Sequence, residues 1–60
     1  MVCDICKDDC GTIYYDGATK MGPWANMCRT CFKVFGIGLG TGRGQEYHKD
    51  ENDKWIKKAG

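Results

Sequence analysis

Apolar and polar positions change their rhythm four times along this chain. Residues 12–21, "TIYYDGATKM", carry two short β-prone stretches on either side of Asp16-Gly17. Glycine supplies the positive φ that a tight two-residue turn needs, so the pattern predicts a hairpin turning there. Gly22-Pro23 marks a second turn, and "WANM" then runs into a cysteine pair. Trp24 and Met27 are expected in the core. After Cys28, Phe32 and Phe35 fall three apart with Cys28 one turn earlier on the same side, the spacing of a short helix that Gly36 would stop. From Gly36 to Gly44 every second residue is glycine. Read as extended chain, this run has one bare backbone face and Ile37, Leu39, Thr41 and Arg43 on the other. The tail "QEYHKDENDKWIKKAG" alternates weakly about Asn52-Asp53, which predicts a second hairpin with Tyr47 and Trp55 on facing strands. A charged helix over residues 49–58 competes with it.

Length changes what these elements can achieve alone. Sixty residues make a single domain, 1–60, with a cysteine-bearing core at 3–36, a glycine-rich loop at 36–45 and a hairpin or helix at 46–60. Leu, Ile, Val and Phe together number nine, too few for packing to hold so small a chain without a staple. Five cysteines offer one. The residues after Met1 are polar and cysteine-bearing, which reads as a cytoplasmic protein with neither a signal peptide nor a membrane span. In a reducing compartment an odd number of cysteines at short regular spacing points to metal ligation.

The cysteine pattern is specific. "CDIC" at 3–6 and "CRTC" at 28–31 are two C-x2-C pairs separated by 21 residues. Each pair can bend into a knuckle whose backbone amides point at the sulfurs, and two knuckles complete a tetrahedral thiolate site for Zn2+. Cys3, Cys6, Cys28 and Cys31 are therefore the predicted ligands. Cys10 is extra; Asp8 and Asp9 beside it disfavour a thiolate, so it is expected to be a bystander, with replacement of a ligand as the alternative. His48, the only histidine, is expected at the surface.

A knuckle, a hairpin and a helix carrying the second pair form a small α+β metal-stapled domain in the order of a treble clef; a zinc ribbon, with the second pair on another hairpin, is the other architecture this order allows. "MCRTCFKVF" is similar to the "C-N-A-C-G-L-Y" segment of GATA-type fingers, and the resemblance covers residues 3–36. It carries over Cys3, Cys6, Cys28 and Cys31 as metal ligands. The family's DNA-reading positions and basic tail have no counterpart here. "DGATKMGPWANMC" together with "GLGTGRGQ" resembles small zinc-knuckle proteins encoded by tailed phages, which implies a viral origin and a host cytoplasm. Rubredoxins share "C-x2-C" and a following "YYD", but Lys7 and Phe32 stand where that family has glycine.

Charge and motif then sort the functions. A formal net charge of +1 lacks the cationic excess that grips phosphates. The glycine run has neither the lysine nor the strand-to-helix setting of a nucleotide loop. Four cysteines close a metal site, so no enzyme is expected. The reading is a zinc-stapled module that binds a protein, in the phage case a host factor, with Gly38, Gly40, Gly42 and Arg43 as contact candidates. The alternative is a nucleic-acid-binding finger using Arg29, Lys33, Arg43 and the C-terminal lysines on phosphates, with Tyr47 or Trp55 stacking on bases.

Overall fold

The computed structural model describes all residues 1–60. Four strands, β1 (Ile13–Ala18), β2 (Trp24–Met27), β3 (Gly44–Lys49) and β4 (Trp55–Ala59), form one antiparallel sheet in the order β2-β1-β3-β4. A single helix, α1 (Arg29–Phe35), joins β2 to the glycine-rich segment. The architecture is α+β, and no helix is long and apolar enough to cross a membrane.

The first hairpin exists, but it does not turn at Asp16-Gly17. Both residues lie inside β1, where Asp16 faces Asn26 and Gly17 faces Ala25. The chain reverses at residues 19–23, where the backbone N–H and the hydroxyl of Thr19 both donate to the Pro23 carbonyl and Gly22 takes a φ of 108°. Gly17 serves a different purpose. A Cβ there would lie 2.7 Å from the Arg43 carbonyl and 2.9 Å from the Gly44 Cα, so only glycine lets β1 and β3 approach this closely.

The second hairpin forms in place of the charged helix. Asp50 organises its turn, its carboxylate accepting from the N–H groups of Asn52 and Lys54, while Asp53 takes a φ of 62°. Tyr47 and Trp55 stand on neighbouring strands as expected, although the direct partners are Tyr47 with Lys57 and Lys49 with Trp55.

Period-two alternation gives the sheet two unlike faces. Tyr15 stacks on Phe32 of the helix with ring centroids 4.1 Å apart, and Met27, fully buried, packs with Cys3 and Cys31. This face is the core. On the opposite face Tyr14 stacks on Tyr47 at 5.0 Å and meets the edge of Trp55 at 4.7 Å. No element covers that face. Trp24 belongs to it, donating its indole N–H to Asp16, and at 49% exposure it is not the core residue the sequence pattern suggested. Its strand is an edge, and its side chain points away from the helix.

The glycine run is not the regular extended ladder that its alternation predicts. Gly38, Gly40 and Gly42 have φ values of 136°, 118° and 78°, and the segment folds into a tight loop closed by Gly40 and Gly44. The Ala18 N–H donates to the Arg43 carbonyl, anchoring the loop on the end of β1. A Cβ on Gly40 would lie 2.9 Å from the Arg43 guanidinium, so the chain's own side chain occupies that bare position.

Candidate metal centre

Two separate segments assemble the site. The first pair sits on a short knuckle before β1: the Cys3 N–H donates to the Asp8 carbonyl, the Lys7 N–H donates to the Cys3 carbonyl, and Val2 bridges Asp9. Lys7 takes a φ of 69° to close this turn. The left-handed conformation that glycine would favour after a second cysteine is thus adopted by lysine, at some cost in strain. Cys28 caps the N-terminus of α1 and Cys31 lies in its first turn. The second pair therefore stands on a helix and not on a hairpin, and the chain leaves the helix at Gly36 in an extended conformation in which a Cβ would strike the Phe32 ring.

The four sulfurs converge. The Sγ atoms of Cys3, Cys6, Cys28 and Cys31 all lie within 4.8 Å of one another, with Cys6 and Cys28 at 3.7 Å, and all five cysteines are free thiols. A metal–sulfur bond of about 2.3 Å gives a tetrahedron with edges of about 3.8 Å. The donor set thus fits a four-coordinate metal ion in both spacing and chemistry.

Electrostatics favours the same conclusion. Burial opposes ionisation of Cys3, yet the backbone N–H groups of Cys28, Cys6 and Ile5 outweigh it and bring the thiol down to about 6. The Ile5 N–H lies 3.4 Å from that sulfur. Cys31 is pushed up to about 12 by burial and then by the neighbouring cysteine sulfurs. Cys3 ionises readily whereas Cys31 resists, first because it is buried and then because like charges this close repel. A divalent cation at the centre removes the conflict and lets all four ionise.

The remaining candidates fall outside the ligand set. Cys10 packs against the core beside the site, and burial, followed by the fields of Cys3 and Cys28, raises its thiol to about 11. His48 is 36% exposed and lies 2.8 Å from Glu46, outside the cluster of four sulfurs. Arg29 and Thr30 line the open cleft over Cys6 and Cys28 together with Asp8 and Asp9. Arg43, with Gly38, Gly40 and Gly42, belongs to the loop on the end of β1.

Two contacts that hold the site had no sequence signal of their own. The Asp4 carboxylate accepts from the Asn26 N–H at 2.9 Å and ties the knuckle to β2. Tyr15 donates to Glu46 at 3.1 Å, joining the residue that stacks on α1 to β3. Compared with known protein families, with characterised proteins and with solved structures, the chain matches none.

Proposed function

We propose that this protein is a non-enzymatic zinc module of treble-clef type that binds another protein. The order of knuckle, hairpin and helix supports the treble-clef reading, since Cys28 stands at the N-cap of α1 and Cys31 in its first turn. Zinc is the ion best suited to a closed set of four thiolates, and a closed set leaves no coordination position for a substrate. The resemblance of "DGATKMGPWANMC" to phage-encoded zinc knuckles makes a host protein the partner class we favour.

The uncovered face of the sheet is the observation that carries this reading. It bears Tyr14, Trp24, Tyr47 and Trp55, including both tryptophans of the chain. Tyrosine and tryptophan are the residues that anchor protein interfaces, and rings already fixed against one another lose little freedom on binding. A stack of bases would need free ring faces. Here Tyr14 and Tyr47 cover each other, the Lys49 ammonium lies 5.1 Å from the Trp55 ring, and the Trp24 indole is tied to a carboxylate. We locate the contact on this face instead of on Gly38, Gly40, Gly42 and Arg43, because Arg43 fills the bare position at Gly40.

The test pairs capture with titration. Immobilised metal-loaded protein should retain a protein from the native cell, and Trp24→Ala with Tyr47→Ala should lose it while keeping metal and fold. Mixed single- and double-stranded DNA and RNA should not bind at physiological salt. Tight, salt-sensitive oligonucleotide binding weakened by the same two changes would replace this reading with the nucleic-acid finger.

A further inference from the structure

The two edges of the sheet are treated differently. On the β2 edge, the outward N–H and C=O of Asn26 are both taken by Asp4. The opposite edge is β4, and beyond its pairing with β3 no hydrogen bond engages the backbone of residues 55–60. An open edge offers donors and acceptors to another strand, here in a row broken by a bulge at Lys58, since Tyr47 faces Lys57 and Glu46 faces Ala59.

The side chains of this edge select among strands. "KWIKK", residues 54–58, holds three lysines and no carboxylate. The one ion pair of the molecule is His48 with Glu46, so Lys54, Lys57 and Lys58 have no charge partner. Ile56, 41% exposed, lies between them. A second copy of this chain is a poor occupant. Antiparallel pairing centred on the middle of β4 sets Lys57 against Lys57, and like charges directly opposite are destabilising. A nucleic acid fits no better. Its evenly spaced phosphates would have to pass Asp50, Glu51 and Asp53 in the adjoining turn, whereas a peptide can place carboxylates only where the lysines are.

We propose that the free edge of β4 binds an extended acidic segment of a partner protein by strand addition. Main-chain hydrogen bonds to β4 supply the attachment. Carboxylates of the incoming strand meet Lys57 on the aromatic face, and an apolar residue covers Ile56 on the opposite one. This inference rests on the protein-binding reading above and names the chemistry of the partner. It also joins the edge to the aromatic face, since Lys57 stands opposite Tyr47 and Trp55 begins the strand.

The experiment uses the metal-loaded protein and a short capped peptide of alternating Glu and Val. Binding is followed by fluorescence anisotropy and by amide hydrogen exchange. The peptide should bind, its affinity should fall with added salt, and protection should rise at residues 55–59. Lys57→Glu with Lys58→Glu should weaken it by about tenfold or more and should allow the alternating Lys-Val peptide to bind instead. N-methylation of alternate peptide nitrogens should abolish binding, which charge attraction alone would not require. The proposal is overturned if the Glu-Val peptide fails to bind, if it binds the doubly reversed protein equally well, or if protection rises elsewhere. Oligo-dT binding at β4, or a dimer through β4 in sedimentation, overturns it equally. Capture of a cellular partner that depends on Trp24 but not on Lys57 and Lys58 would remove this inference while leaving the broader protein-binding function standing.

Discussion

Asp4 and Asn26 clasp each other through two hydrogen bonds: the Asn26 N–H donates to the Asp4 carboxylate at 2.9 Å, and the Asp4 N–H donates to the Asn26 carbonyl at 2.8 Å. The clasp lies one residue beyond Cys3 and two before Cys28, so it sets the distance between the two halves of the metal centre. Asp4→Ala should weaken metal binding by about tenfold, the equivalent of about 1.4 kcal/mol, within the range of about 0.5–1.5 kcal/mol for a single hydrogen bond. Asp4→Asn keeps an acceptor oxygen and should lose less. Competition against a chromophoric chelator measures both, and equal affinity for all three proteins would show that the clasp does not position the ligands.

Metal removal should unfold the chain. Structural zinc contributes on the order of 10–16 kcal/mol in small finger peptides, more than a core of this size can replace. Cys28→Ser should therefore give a disordered chain by circular dichroism and NMR, while Cys10→Ser should stay folded. The purified protein should be colourless; a red iron–thiolate chromophore at full occupancy would redirect the reading toward electron transfer.

Glu46 predicts a pH signature. The hydrogen bond from His48 holds its carboxyl below the usual value against the opposing effect of burial, and the Tyr15 hydroxyl assists. A carboxylate depressed in the folded state stabilises it above the unfolded value of about 4.3, and that contribution disappears as pH falls through the folded value. Wild type should thus be more stable than Glu46→Gln near neutrality, with the gap closing on acidification. Denaturant unfolding of both metal-loaded proteins across pH checks this, and a gap independent of pH would rule out the titration.

Two glycines separate space from backbone freedom. Gly17→Ala drives a methyl into the backbone of Arg43 and Gly44, which cannot yield as a flexible side chain can, and should cost about 1–3 kcal/mol. Gly11 has a φ of 75° but nothing near its Cβ position. Gly11→Ala should cost only about 1 kcal/mol of backbone strain. Equal losses on thermal unfolding would mean that the β1–β3 approach is not as tight as these contacts require.

The sequence by itself determined the metal centre and the elements nearest to it. C-x2-C pairs are local devices: the geometry that points two sulfurs at one ion is set within four residues, and the cysteines of "CDIC" and "CRTC" converge as their spacing demands. The helix after Cys28 was equally legible, because Phe32 and Phe35 declare their face within one turn. Asn52-Asp53 marked a turn whose flanking strands pair directly.

Only the tertiary structure decided the remainder, because it depends on residues far apart in the chain. Asp16-Gly17 looks like a turn to its neighbours, yet β3 arrives from beyond the helix and requires Gly17 for close packing. Trp24 looks like core by composition, yet β2 is an edge whose outer face has no layer above it. The alternating glycines suggest a bare ladder, but Arg43 folds back over one of them and positive φ values break the extension. Local pattern fixes which residues share a face; which face is buried, and which edge stays open, follows from the partner each strand meets, and here β1 meets β3 on one side and the metal-bearing half on the other.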